Sequence, residues 1–236
     1  SEKMASLGEL TAGVAHEIGN PVTGIACLAQ NLKAEYKDPD IIEASSLILT
    51  QTQRITNIVR SLVGFARTDS HMTSSSYSAV HLKSTIEEAI SLLKLSGGKE
   101  YQFDNFCPEE LNVRGNAQRL MQVFVNLLSN ARDASPIDSQ IMIEAHQNGS
   151  FIHIEIEDFG TGLPEGTIRD NLFEPFVTTK ETGKGTGLGL ALVHGIIGEH
   201  GGKIQLMDKA DYDQGRGVIV QISLPAWVND EEDSAA

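Results

Sequence analysis

The stretch "AHEIGNPV" over residues 15–22 places an imidazole, a carboxylate, an amide and a proline within six positions. Imidazole is a nucleophile and base near neutral pH. A neighbouring carboxylate that accepts one ring N–H fixes the tautomer and makes the other nitrogen more nucleophilic. Glu17 is adjacent to His16. Asn20 lies four residues on, so on a helix it shares the face of the imidazole. Pro21 removes one backbone hydrogen bond and crowds the carbonyl of Glu17, at a cost of about 3 kcal/mol inside a helix. That predicts a bend or bulge just after the histidine, which a purely structural helix would have no use for. Periodicity alone is equally compatible with an ordinary surface histidine; the neighbours favour chemistry.

Four later stretches carry a second kind of chemistry. In "NLLSNARDA" (126–134) Asn126 and Asn130 share a helical face. Their amide oxygens are neutral, hard ligands, and one suits Mg2+, which takes few protein oxygens; two surface amides would look the same. "EDFGTGLP" (157–164) follows a strand pattern. Asp158 offers an acceptor for an exocyclic amine, and Gly160 and Gly162 let the chain turn close to a ligand, although Asp and Gly also end strands in plain turns. "LFEPFVTTK" (172–180) holds Phe173, Phe176 and Lys180. A phenylalanine pair is more often core, and the lysine could meet a phosphate. "GKGTGLGLAL" (183–192) has glycines at every second position from 183 to 189. Its backbone N–H groups can crowd around phosphates, a helix from about 188 offers its positive end, and Lys184 adds charge. The run fits neither GxxxxGK[ST] nor an early GxGxxG.

These groups need elements to hold them. Leu7, Thr11, Val14, Ile18, Pro21, Ile25, Leu28 and Leu32 alternate spacings of four and three. A coiled-coil-like seam follows, with Val14 and Ile18 inward and His16 outermost. "YKDPD" (36–40) breaks it, with Asp38 as cap and Pro39 in the first turn of a second helix. That helix repeats the rhythm through Ile41, Ser45, Ile48, Thr52, Ile55, Val59, Leu62 and Ala66. One hairpin leaves its stripe half covered, so the expectation is a homodimer through a four-helix bundle. Residues 69–76 read as a polar linker. From 77 to 228 the pattern is a strand at "YSAVHL", a helix over 83–95, strands near 101–105 and 111–114 and a helix over 116–134. A strand pair about "NGS", a helix near 188–200 and strands near 203–208 and 217–224 complete it. That mixture predicts an α/β sandwich with a mainly antiparallel or mixed sheet.

The net charge is −14 over 236 residues. Residues 1–68 carry six basic and seven acidic side chains, and residues 69–236 twelve and twenty-five. The acidity of the second part disfavours nucleic acid as a partner. The end, 229–236, reads as a frayed acidic tail. Cys27 and Cys107 form no CxxC pair, which predicts reduced thiols, a cytoplasmic setting and no cysteine metal site. No apolar run is long enough to span a membrane. The chain opens inside a helical pattern, so it reads as a fragment whose membrane contact, if any, lies in an upstream segment.

"HEIGNP" resembles the H-box of sensor histidine kinases, H-E-x-x-N-P, and the four later stretches resemble that family's N-box, G1 box, F-box and G2 box, in the family's order. The resemblance covers nearly the whole chain; Val22 stands where many relatives have leucine. It implies a dimerisation and phosphotransfer hairpin over 1–68, then an ATP-binding domain over 77–228 of the Bergerat type shared with Hsp90 and type II topoisomerases. It implies His16 as phosphoacceptor, Glu17 as its acid–base partner, and Asn20 as the residue that orients water in a phosphatase reaction. Asn130 would bind Mg2+ and Asn126 assist at the phosphates. Asp158, Gly160 and Gly162 would receive the adenine of ATP. Phe173, Phe176, Thr179, Lys180, Lys184, Gly185, Gly187, Leu188 and Gly189 would complete the nucleotide site. Related ATPases are expected to carry a water-activating glutamate one turn before the Mg2+ asparagine; this chain has Asn126 there, which leaves the γ-phosphoryl group for His16. The implied partner is a response regulator receiver domain, docked below His16 near Val22, Thr23, Ile58 or Leu62. A silent nucleotide-binding scaffold and a Bergerat-type ATPase are the rival readings.

Overall fold

The computed structural model describes residues 2–67, 77–95, 101–180, 186–212 and 215–228, with the backbone alone over 2–17 and at 54, 57, 58 and 60–67. The linker at 69–76 and the tail at 229–236 lie outside the described residues. The chain forms two compact units. One holds Ser1–His71 with Pro175–Leu188, and the other holds Met72–Glu174 with Gly189–Ala236.

In the first unit α1 (Glu2–Glu35) and α2 (Pro39–Arg67) form the hairpin. Asp38 caps α2, accepting the Asp40 N–H at 2.9 Å, and Pro39 sits where its missing N–H has no helical partner to lose. Of the bend or bulge expected at Pro21, no bulge interrupts α1, which is helical throughout. The next residue, Val22, is buried, and packing against α2 on that turn outweighs one lost hydrogen bond. Thr23 adds a bond in the same turn, its hydroxyl donating to the Gly19 carbonyl at 2.8 Å.

On α1 the buried positions fall one residue past the expected seam. Ile18, Ile25, Leu28 and Leu32 are exposed, Leu28 by 66%. Among the described side chains of the hairpin the buried ones are Val22 and Ala29 of α1, one position past the expected stripe, and Ser45 and Thr52 of α2, both on it. Ile48 and Ile55 of α2 are exposed as well. Ile18 therefore does not point into the hairpin, and the side chain of Val14 lies outside the described residues. Val22 is also withdrawn from the surface read as a regulator-docking site. Thr23 is exposed there, and the side chains of Ile58 and Leu62 lie outside the described residues.

The second unit begins with β1 (Ser78–His81), α3 (Leu82–Leu95), β2 (Gln102–Asn105), β3 (Asn112–Gly115) and α4 (Ala117–Ala134). The hairpin β4 (Gln140–Asn148) and β5 (Phe151–Glu157) follows, then the short α5 (Thr167–Asp170) and α6 (Gly189–Glu199). β6 (Lys203–Asp208), a 3-10 turn (Lys209–Tyr212) and β7 (Val218–Pro225) end it. Asn148 pairs with Phe151 across a two-residue turn in which Gly149 has φ of 60°, the conformation for which glycine is suited. The sheet order is β2-β4-β5-β7-β6. β2 runs parallel to β4 and every other neighbour is antiparallel. β1 and β3 form a separate antiparallel pair.

Alternation puts Ile152, Ile154 and Ile156 of β5 and Val218, Val220, Ile222 and Leu224 of β7 on one buried face. Leu120, Val123, Phe124, Leu127, Leu128 and Ala131 of α4 and Val193, Ile196 and Ile197 of α6 join them in one core. The unit is thus a two-layer α/β sandwich with a mixed sheet, as expected. Neither Cys27, exposed, nor Cys107, buried, is in a disulfide; burial pushes the Cys107 thiol up to about 11. Among the described residues no helix is long and apolar enough to cross a membrane.

Candidate functional site

β5 ends at Glu157, and the next residue, Asp158, is 5% exposed. Its Oδ1 accepts the N–H of Gly160 at 2.8 Å and of Val218 at 3.2 Å. Its own N–H donates to the Val218 carbonyl at 3.0 Å. Burial pushes the carboxyl above its ordinary value, and the two backbone N–H groups pull it back. Both bonds fall on Oδ1, which leaves Oδ2 to accept from a ligand. A carboxylate fixed in this way presents an oriented acceptor in a poorly solvated place, where a hydrogen bond is strong.

The loop that follows is built on close approaches. A Cβ on Gly160 would sit 2.6 Å from the carbonyl oxygen of Ala134, at the end of α4. Gly162 has φ of 86°, and its Cβ would meet Asp208 Oδ2 at 2.9 Å. Gly217, at φ of 127°, passes so near the Asp158 carbonyl that a Cβ would lie 2.0 Å from its oxygen. Gly160 and Gly162 were named from sequence. Gly217, Asp208 and Lys209 were not, because they lie about fifty residues downstream in no recognisable spacing. Asp208 accepts the N–H of Leu163 at 2.7 Å. Lys209, almost fully buried, donates to Glu157 and lies 3.7 Å from the centre of the Phe159 ring.

Asn126 and Asn130 lie half-buried on the same face of α4. The Asn126 amide donates to the Gln122 carbonyl at 2.9 Å, and its Oδ1 lies 3.2 Å from where a Cβ on Gly189 would be. A glycine at the first residue of α6 therefore lets that helix start against Asn126. Phe173 packs on the core with its ring 5.0 Å from that of His194. α4 and α6 are also tied by His200. Its Nε2 accepts the Asn116 N–H at 3.1 Å, so Nδ1 carries the proton and donates to the Ile196 carbonyl at 2.7 Å. The ring stacks on Tyr77 at 4.8 Å. Burial pushes His200 below the ordinary histidine value.

The segment 175–188 is described with the first unit. Phe176 is exposed and has φ of 68°, a conformation that costs a non-glycine residue. Its N–H donates to the Gly187 carbonyl at 2.9 Å, and a Cβ on Gly187 would lie 2.4 Å from the Phe176 carbonyl carbon. The two phenylalanines thus differ: Phe173 is core, and Phe176 is half of a backbone clasp. Thr178 accepts the Lys180 N–H at 3.1 Å, Thr179 is exposed, and Thr186 accepts the Leu188 N–H at 3.3 Å. Lys184 and Gly185 lie outside the described residues. His16 and Glu17 are on α1 with their side chains outside the described residues, and Asn20 is exposed on the next turn.

Residues 6–71 match the family model for the His Kinase A (phospho-acceptor) domain. Residues 115–228 match that for the histidine kinase-, DNA gyrase B- and HSP90-like ATPase. The signal transduction histidine-protein kinase AtoS of Escherichia coli is 34% identical over 94% of this chain and 36% of its own length. The sensor kinase CckA of Brucella abortus is 31% identical over 98% of this chain and 25% of its own length. The chain thus spans about a quarter to a third of these curated relatives. Among solved structures, full-length ShkA in complex with AMPPNP superposes with a TM-score of 0.74 at 20% identity, over 94% of this chain and 46% of that one, which shows the fold. The catalytic domain of the histidine kinase ThkA is 29% identical with a TM-score of 0.53, over 63% of this chain and 97% of that one.

Proposed function

The chain belongs to the sensor histidine kinases, and from that premise we propose that it transfers the γ-phosphoryl group of ATP to His16 and then to an aspartate of a response regulator. The observation that carries this is the pairing in one chain of a phospho-acceptor hairpin, residues 6–71, with an ATPase-type sandwich, residues 115–228.

The adenine has a place to bind. Asp158 keeps Oδ2 for the exocyclic amine while Gly160 and Gly162 let the backbone come close. The segment 183–189 would supply backbone N–H groups to the phosphates, with Thr179, Lys180, Lys184 and Leu188 beside them and charge from the lysines. Asn130 suits Mg2+, whose chemistry there is to neutralise phosphate charge, and Asn126 would stand beside it. At the acceptor, a neutral ring nitrogen of His16 forms the P–N bond as the bond from the γ-phosphorus to the β–γ bridging oxygen breaks and ADP leaves. Glu17 stabilises the imidazolium that develops, and Asn20 would orient a water that hydrolyses the regulator's aspartyl phosphate when the enzyme acts as a phosphatase. Asn126, in place of an activating glutamate, supports transfer to histidine over steady hydrolysis.

The uncovered stripe of Ile18, Ile25, Leu28 and Leu32 on α1, with Ile48 and Ile55 on α2, supports a homodimer through the hairpin. The regulator would dock on the same hairpin near Thr23.

Incubation with γ-labelled ATP and Mg2+ tests the reading. The native chain should take up label that is acid-labile and base-stable, and His16→Gln should take up none. Label that persists in His16→Gln would move the acceptor elsewhere, and continuous phosphate release without a phosphoprotein would return the ATPase reading.

A further inference from the structure

The end of β6 and the turn after it are not part of the nucleotide motifs named above, yet they hold the end of β5, the loop after it and α5. Asp208, 8% exposed, uses both carboxylate oxygens: Oδ2 accepts the Leu163 N–H at 2.7 Å and Oδ1 accepts the Ala210 N–H at 3.0 Å. Lys209 bonds Glu157 and lies under Phe159, one residue to either side of Asp158. Asp211 pairs with Arg169 on α5. Gly162 is pressed against the same carboxylate, where a Cβ would be 2.9 Å from Oδ2 and 3.1 Å from Oδ1. Its φ of 86° and this close approach both call for glycine, and the next N–H, that of Leu163, is bonded to the same carboxylate.

A buried carboxylate is costly unless hydrogen-bonded, and this one accepts from the loop at Leu163 and from its own turn at Ala210. We propose that Asp208 is the positioning residue of the base-binding loop. It holds Leu163 and Gly162 so that Gly160 and the Asp158 carboxylate face an adenine base ready-made, and it thereby sets nucleotide affinity from the end of β6. The proposal rests on the reading of the Asp158 loop as the base site. A pre-formed loop binds without the entropy of ordering it on contact, so the loss of this brace weakens binding and leaves the transfer step at saturating ATP alone.

The test compares the native chain with Asp208→Asn and Asp208→Ala by three measurements. These are the Kd for ADP with Mg2+ by calorimetry, the KM and kcat for phosphorylation of His16 from ATP, and melting without nucleotide. Asp208→Ala should raise the ADP Kd and the ATP KM about tenfold, as expected for one lost charge-assisted bond, with kcat held within about twofold. Asp208→Asn keeps one acceptor oxygen and should lie between. Unchanged Kd and KM in both variants overturn the proposal, as does a fall of kcat in step with melting temperature while KM stays put. If Asp208→Ala does not fold, Asp208→Asn decides alone: a raised KM at constant kcat supports the brace and an unchanged KM overturns it. Failure of the native chain to bind ADP overturns the base-site reading and this proposal with it. Native binding with unaffected variants overturns this proposal alone.

Discussion

His200 is held as a neutral ring that donates from Nδ1 and accepts at Nε2, and a second proton would destroy the acceptor. Its value is lowered below the ordinary 6.5 chiefly by burial. The unfolded chain therefore binds more protons than the native one between that lowered value and 6.5, and stability rises with pH across the window. It is complete above 6.5 and falls as the pH drops. Thermal melting should accordingly show a lower Tm at about pH 5.5 than at about pH 7.5. His200→Gln should lose about 1–3 kcal/mol at neutral pH and show a smaller acid-dependent fall. An equal fall in both proteins would assign the acid sensitivity to other groups. Asp158 and His200 differ in how far sequence reveals them. Asp158 sits in a short local pattern, a strand followed by D-x-G-x-G. Beyond the local Ile196 carbonyl, His200 meets Asn116 and Tyr77, more than eighty residues away, and Asp208 meets Leu163 across forty-five. Local spacing carries no record of such contacts.

At the scale of elements, the strands and helices of the sandwich were legible because one face of each is apolar and the other is wet, so periods of two and 3.6 stand out. The order of the strands was not, since β2 joins the sheet beside β4 and in parallel only after a helix and a further strand intervene in the chain. The hairpin misled for a related reason. Two adjacent stripes on α1 both have the spacing of a seam, and the larger side chains mark the one that the hairpin itself leaves open. Among the described side chains, the buried ones of the hairpin are Val22, Ala29, Ser45 and Thr52. The junction of loop and helix is equally tight. Gly160→Ala forces a methyl to 2.6 Å from the Ala134 carbonyl oxygen, so it should destabilise the sandwich by about 1–3 kcal/mol and weaken ADP binding. Urea unfolding and calorimetry would read the two effects, and a variant as stable as the native protein would show that the α4 end yields.

For the whole molecule, the hairpin and the sandwich should respond differently to dilution. Among the described side chains the hairpin buries Val22, Ala29, Ser45 and Thr52, and helix pairs with little buried apolar surface gain most of their stability from association. Leu28→Glu places a charge in the uncovered stripe of α1. It should convert a dimer to a monomer in sedimentation, reduce helical content near the micromolar range, and leave ADP binding by the sandwich within about twofold. A variant that stays dimeric would place the interface elsewhere on the hairpin.

The clasp between Phe176 and Gly187 has a consequence for what this family member can tolerate over evolutionary time. Because one backbone bond and one glycine-only contact pin the two ends together, the chain between them leaves and returns at a single point. For a loop closed at its base, each doubling of length costs only about 0.6 kcal/mol. Phe176 and Gly187, which close the clasp, should therefore stay fixed among relatives, while the length between them can vary only as far as the proposed phosphate contacts keep their reach.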